Sequence, residues 1–549
     1  MSTFNELIDF TRSTTGTYLD SVVYGDELVT NGTFATDSDW TKTGNLTAIS
    51  NGTATIGETA GNGSIRQEDA LIAGKSYIVK FDITAVSSAS AFLAFRNDEF
   101  SSVGSAVISF GSSLSVATYS KVFVATGSIV NFTVGGGNSS LAIDNVSVKE
   151  VTGGQVSGTP LLRTAAINEP RLEYDASGNP LGLLIEEART NLFDYSADYA
   201  PWSKTFLNLS EGEIAPDGTI STKITASANT SLSYLYKATS ISATNNTNSF
   251  YVKKGNNNIF WLYVISGSGF GTAYFNIDDL TTQAVSGSLS TPANLQIQDA
   301  GNGWYRISAT FNVTSGETSG VGIGICDAKG STSVTSGKFG YVYGAQVETG
   351  AFPTSYIPTG GSTVTRAADV ASLPVERFAY NQAQGSVFVS VSEYSAVSSV
   401  DAAILTLGED VMSGNWQLLY VTSTKDTVVF NSRGYFAGQA HLTNTANNLN
   451  VPFKSGASWA RNNYNLTVNG NTVVVDTVGT GLAAVTKLVL GNFASNPAFL
   501  NGHIKQIQYY PKRLSNTELQ LLTQPSTSPT MNLTFDGQAT STLVEGFHD

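Results

Sequence analysis

The sequence contains one cysteine and three methionines, and histidine occurs three times. It has no run of about 18 apolar residues, the length a bilayer-spanning helix needs. Each shortage excludes something. A lone thiol, Cys326, leaves no internal disulfide. Its setting, Val321-Gly-Ile-Gly-Ile-Cys326, alternates like a strand and reads as a buried, inert thiol. His441, His503 and His548 lie far apart, and no His-x-x-x-His, Cys-x-x-Cys, Gly-x-Ser-x-Gly or Walker-type loop occurs. Zinc, nucleophilic and nucleotide chemistry therefore have no sequence support. Charged residues make up 13%, and the 29 Lys and Arg are scattered among 43 Asp and Glu, with no basic stripe to neutralise phosphates. No nucleic-acid partner and no membrane insertion are expected. The formal net charge of −14 reads as a solubility device. Met1-Ser-Thr-Phe-Asn-Glu6 has neither the basic nor the apolar region of a secretory leader, so none is expected.

What is present is glycine (53 residues), abundant Ser, Thr and Asn, and 41% apolar residues. That is too apolar for disorder and suits short strands joined by polar turns. At about 100–200 residues per domain, several domains are expected. In Tyr77, Val79, Phe81 and Ile83 the apolar residues fall on every second position, one face of a strand. Similar runs include Ile259-Phe-Trp-Leu-Tyr-Val-Ile265, Trp304-Tyr-Arg-Ile-Ser-Ala-Thr-Phe311 and Ser386-Val-Phe-Val-Ser-Val391. Asn469-Gly470 is the strongest hairpin signal. One short helix is expected near the C-terminus, over Asn516–Leu522, with Ser515 as N-cap and Glu518 completing a capping box. The fold class is all-β: serial β-sandwiches, jelly-roll and concanavalin/laminin-G-like, with one short C-terminal helix.

The stretch 164–192 is denser in charge than its surroundings. Pro170 extends Glu169, Asp175-Ala-Ser-Gly-Asn-Pro180 makes a turn, and Leu181-Gly-Leu-Leu-Ile185 is short and fully apolar, suiting a strand buried on both faces. Glu186-Glu187-Ala-Arg189 follows at once. Adjacent strand residues point to opposite faces, so the two glutamates cannot flank one sugar as a glycosidase pair. Ion pairs with Arg171 or Arg189 are the expected role, and the stretch reads as a joint.

Phe10-Thr-Arg-Ser-Thr-Thr-Gly-Thr-Tyr18, Thr164-Ala-Ala-Ile-Asn-Glu-Pro-Arg171 and Gly182-Leu-Leu-Ile-Glu-Glu-Ala-Arg-Thr-Asn-Leu192 resemble a recurrent module of bacteriophage tail and other virion proteins. So do Gly301-Asn-Gly-Trp-Tyr-Arg306, Gly344-Ala-Gln-Val-Glu-Thr-Gly350, Ser355-Tyr-Ile-Pro-Thr359 and Thr365-Arg-Ala-Ala-Asp369. In that family the lead runs almost directly into the Asn-Glu-Pro-Arg motif. Here 25–158 intervenes and is similar to carbohydrate-binding jelly rolls, from Leu28-Val-Thr-Asn-Gly-Thr-Phe34 to Ile143-Asp-Asn-Val-Ser-Val148. Leu500-Asn-Gly-His-Ile-Lys-Gln-Ile-Gln-Tyr-Tyr510 and the residues after it look like a laminin-G/concanavalin-type sandwich. The division implied is a lead 1–24 pairing with 159–192, an inserted jelly roll 25–158, a second sandwich 159–365, a third 366–523 and a tail 524–549. Residues 10–21 should then lie beside 161–192.

The resemblance implies a virion protein, made in the host cytoplasm and carried on the extracellular particle as a tail fibre or receptor-binding component. It is non-catalytic, a homotrimer, bound to other tail or baseplate proteins and recognising host-surface polysaccharide. The alternatives are a purely structural head-decoration, collar or baseplate component, and a polysaccharide-degrading tailspike. The last is disfavoured because no fixed-period repeat is found. Sugar binding calls for aromatic rings aided by polar side chains. Trp261 and Tyr263 share one face of a strand and Phe260 and Leu262 the other, so one pair packs the core and the other is a candidate platform. Trp40, Trp202, Trp304, Trp416 and Trp459 read first as core rings. The loop after Trp459, with Arg461, Asn463 and Tyr464, is the second candidate. No cofactor is required. A structural calcium, implied by the jelly-roll resemblance, would draw on Glu27 and Asp144.

Overall fold

The computed structural model describes residues 8–20, 23–73, 75–87, 92–96, 108–109, 116–135, 139–152, 160–241, 244–267, 269–313, 317–394, 401–408, 416–434, 437–446, 449, 452–479, 485–493, 498–525 and 532–535. The chain divides into two compact units, one built on Val22–Gly158 and the other on the segments flanking it.

The Val22–Gly158 unit is an antiparallel sandwich. One sheet is centred on Val130–Gly135, the other on Ser76–Val86 and Ser139–Thr152. Period-2 alternation fills its core: Tyr77, Val79, Phe81 and Ile83 are all buried, facing Phe95, Phe132 and Val134. Phe132 meets Phe81 and Phe95 edge-on, at ring-centroid distances of 5.1 and 5.2 Å. Its first strand, Val23–Glu27, pairs with the end of Ser139–Thr152, Val23 opposite Thr152.

In the larger unit, two six-stranded antiparallel sheets form the second sandwich. Phe260, Leu262 and Val264 from Ile259–Ser266 pack against Phe250 and Val252 from Asn245–Lys254. The third sandwich pairs a seven-stranded sheet with an eight-stranded one. Its helix, Asn516–Thr523, is the single α-helix among the described residues and has the expected capping box from Ser515 and Glu518. Asn469 and Gly470 both take positive φ, and Asn471 N donates to the Val468 carbonyl at 2.9 Å, so the chain reverses there. The ladder resumes at Leu466 opposite Val474, and between turn and ladder Thr467 Oγ1 donates to the Asn471 carbonyl at 2.7 Å.

The sheets do not follow the expected boundary at 159. The hairpin of Leu172–Tyr174 and Pro180–Ile185 pairs with Gly502–Tyr510 and belongs to the third sandwich. Asp9–Thr11 joins the other sheet of that sandwich, against Val370–Pro374. The apolar run at 181–185 is the reason: it needs cover on both faces, and an inner position in that sheet supplies it. Gly182, at φ 117°, lets the strand approach, since a Cβ there would lie 2.3 Å from the Ile504 carbonyl oxygen. Gly16–Asp20 pairs antiparallel with Leu161–Ala165, Asp20 opposite Leu161.

Buried charge holds these segments to one another. Arg12, Arg171 and Arg366 converge on Glu186 and Asp369, all five buried. Arg12 Nη1 lies 3.1 Å from Asp369 and Arg171 Nη1 2.8 Å from Glu186, while Arg171 Nη2 also meets Asp369. Arg366 Nη2 is 3.3 Å from Glu186. Backbone groups close the set: Glu186 N donates to Asp369 Oδ2 at 2.9 Å, and Asp369 N to the Glu186 carbonyl at 3.0 Å. Ser355 donates to both Glu186 oxygens, each at 2.7 Å. Burial by itself would raise the Glu186 carboxyl, but Arg366 and Arg171, with the Ser355 bonds, hold it well below the usual carboxylate range.

Removing one charge from such a set strands the others in a dry site. Glu186→Gln should lower the stability of the larger unit by about 3–5 kcal/mol in denaturant titration. A carboxyl whose pKa falls on folding stabilises fully above its unfolded value, about 4.3, and progressively less as pH drops below it. The wild type should therefore lose stability on acidification below about pH 4–5 more steeply than Glu186→Gln. Equal acid limbs for the two proteins would contradict the assignment.

Candidate functional site

Trp261 and Tyr263 do share a face, but it is no open platform: each is 2% exposed. The strand beside them, Glu317–Ile325, presents Gly322 opposite Tyr263 and Gly324 opposite Trp261. The indole lies on that bare backbone, where a Cβ on Gly324 would fall 2.3 Å from Trp261 Cε2. Tyr234, Tyr236, Tyr274 and Cys326 complete this second, outer core. Both faces of the strand are therefore dry. Burial pushes the Cys326 thiol up to about 12, as an inert sulfur requires.

The second candidate divides similarly. Trp459 and Tyr464 pair across a hairpin and are buried, Trp459 against Phe430 and Tyr509. Asn463 is half-buried and Arg461 is exposed. In the jelly roll, Glu27 does reach the last strand, but by hydrogen bonds. Its Oε1 accepts from Val148 N at 2.7 Å and its Oε2 from Ser147 Oγ at 2.6 Å. Asp144 Oδ1 accepts from Asn145 N at 2.7 Å. Among the described residues no three His, Cys, Asp or Glu side chains group to hold a metal ion.

What the fold does build is a cleft of about 610 Å³ in the larger unit, beside the buried charge network. The second sandwich lines it with Tyr251, Gln298 and Arg306, and the third with Glu393, Tyr394 and His503. Glu173, on the hairpin that joins the third sandwich, lines it too. Each position follows from strand register. Arg306 lies directly between Gln298 and Tyr251 on neighbouring strands, so amide, guanidinium and ring share one face. Glu393 opposes His503, and Tyr394 opposes Gly502.

His503 Nε2 is 2.6 Å from Glu173 Oε2, and Nδ1 is 3.8 Å from Glu393 Oε2, too long for a hydrogen bond. Burial alone would lower the imidazole, but the bond and charge of Glu173, helped by Glu393, carry it upward. Glu393 moves up as well, through burial, with His503 opposing. Among the described residues, three buried polar atoms of cleft residues have no hydrogen-bond partner: Arg306 Nε, His503 Nδ1 and the Tyr394 hydroxyl. A volume in the range of about 300–1,000 Å³, ring walls and a few unsatisfied polar groups are what a small-molecule or sugar subsite requires.

None of these residues was singled out from the sequence. The available signal was the alternation in Trp304-Tyr-Arg306, which puts a cation on the same face as Trp304 in an otherwise apolar strand. His503 and Glu173 are 330 residues apart, so only the fold unites them.

No family model matches the chain, and no curated protein matches it significantly in sequence. The chain is an all-β protein of antiparallel sandwiches. Structures similar to parts of it include the CBM40 of the Ruminococcus gnavus IT-sialidase, with bound α2,3-sialyllactose. It is 20% identical, covers 26% of this chain and 84% of its own, and has a TM-score of 0.23. The CBM22 tandem of Paenibacillus barcinonensis Xyn10C is 10% identical over 61% of this chain and 99% of its own, at 0.20. Mouse laminin α1 domains LG4-5 are 10% identical over 55% and 92%, at 0.19. Likeness at this level carries no function to this chain.

Two outcomes test the placements. Trp261→Ala should cost about 3–5 kcal/mol in denaturant titration, as a core ring does. A loss below about 1 kcal/mol would return Trp261 to the surface. By NMR titration His503 should show a pKa above the ordinary value of about 6.5, lowered in Glu173→Gln. Because its pKa rises on folding, the stabilisation it gives is complete below about pH 6.5 and fades as pH climbs past the folded value.

Proposed function

We propose that this chain is a non-catalytic bacteriophage tail protein that recognises a host-surface glycan through the cleft between its second and third sandwiches. The observation that supports this reading is the cleft itself: a 610 Å³ space lined by Tyr251, Tyr394, Arg306 and His503, the last three each carrying a buried polar atom with no hydrogen-bond partner among the described residues. The tail assignment draws on the motifs at 10–18, 164–171 and 182–192, which resemble virion modules. In this reading the protein acts as a homotrimer attached to other tail or baseplate proteins.

A second reading is favoured by a different observation. The Arg12, Arg171, Arg366, Glu186 and Asp369 network fixes the joint so firmly that the chain would also serve as a rigid spacer in a collar, baseplate or head decoration. A glycan array with the purified chain separates the two. The receptor reading expects selective binding, weakened about tenfold or more by Tyr394→Ala and unchanged by Arg461→Ala. No binding to any host glycan, together with normal host adsorption when the protein is blocked by antibody, leaves the spacer reading.

A further inference from the structure

We infer that the cleft takes a sugar bearing a carboxylate, with Arg306 as its charge partner. The inference rests on the cleft being a glycan site and names the class of glycan. Arg306 is 8% exposed and makes no ion pair among the described residues. The other buried arginines differ: Arg12, Arg171 and Arg366 each face Asp369 or Glu186. Arg306 has the Ser249 hydroxyl at 3.1 Å from Nη2 and the Tyr251 ring at 5.5 Å from Cζ, while Nε has no partner. A guanidinium stays charged at any physiological pH, so burial without an anion is costly unless a ligand supplies one.

Nearby carboxylates are already engaged. Glu348, buried two strands away in the same sheet, accepts from Gln346 Nε2 and from Thr354 N and Oγ1, at 2.7, 2.8 and 2.7 Å. Glu186 and Glu173 belong to the arginine network and to His503. Asp299 Oδ1 accepts from Gly301 N at 2.8 Å. Glu393, its side chain half-exposed, faces His503 at 3.8 Å from Nδ1 and makes no ion pair with Arg306 among the described residues. With four carboxylates along the cleft, a monoanion is accommodated more readily than a dianionic phosphate. A carboxylate matches the planar, always charged guanidinium that Arg306 brings to the cleft lining. On either side of Arg306, Gln298 offers an amide for hydroxyls and Tyr251 a ring.

The test uses the full chain and three probes: oligosaccharides ending in glucuronic acid, galacturonic acid or N-acetylneuraminic acid, each beside its carboxyl-reduced counterpart. Calorimetric titration should show at least one acid form bound about tenfold or more tighter than its reduced partner. Arg306→Gln should remove that preference, Arg306→Lys should keep part of it, and thermal melts should show both variants folded. The reduced probes read the wild type, so a variant that fails to fold does not blunt the test. Equal binding of acid and reduced forms, weakened by Tyr394→Ala, would overturn the carboxylate inference and leave the glycan cleft standing. Binding of neither form, to these probes and across a host-glycan array, would overturn both.

Discussion

Three arginines and two carboxylates out of water, drawn from three separate stretches of sequence, set the terms for the larger unit. Arg12 comes from the lead, Arg171 and Glu186 from the stretch before the second sandwich, and Arg366 and Asp369 from the stretch after it. None of these side chains would be tolerated in a dry interior alone. Each becomes acceptable only when the others arrive, with Ser355 and the paired Glu186 and Asp369 backbones completing the shell. Buried ion pairs are weak evidence for net stability but strong evidence for a required arrangement, because a missing partner leaves a bare charge. The network thus specifies how the ends of the second sandwich are tied into the third.

The cleft inherits its geometry from this joint. Glu186 and Ser355 belong to the network and also line the cleft. Glu173 sits on the hairpin that the joint delivers to the third sandwich, where it meets His503. Arg306 is carried by the second sandwich and Tyr394 by the third. A space lined by both holds its shape only if the sandwiches keep one register, and the buried charges enforce it.

The strands were readable wherever one side of the sheet was polar, as in Tyr77–Ile83, because alternation reports a single buried face. Ile259–Ser266 is legible as a strand, but the burial of both its faces is not. Alternation cannot reveal that Gly324 on a neighbouring strand lets the Trp261 indole lie on bare backbone, nor that Trp261 and Tyr263 fill a second core. The ion pairs of Glu186 and Glu187 with Arg171 and Arg189 were legible from chain proximity and strand geometry. Membership of the 172–185 hairpin in the third sandwich was not, since an apolar strand names no partner. The cleft was the least legible feature: its chemistry is made of cross-chain neighbours, and one histidine or arginine carries no pattern alone.

The pairings at the two edges of the jelly roll have a consequence for the history of such chains. On the host side Asp20 stands opposite Leu161, and inside the roll Val23 stands opposite Thr152. Facing residues in an antiparallel ladder are separated by only about 4.5–5.5 Å. To the remainder of the chain, the whole of Val22–Gly158 is a detour that leaves and returns at nearly the same point. Closing such a loop costs entropy that grows only slowly with its length. Recombination can therefore exchange that cassette for another of different size while the charge joint and the cleft beside it stay as they are.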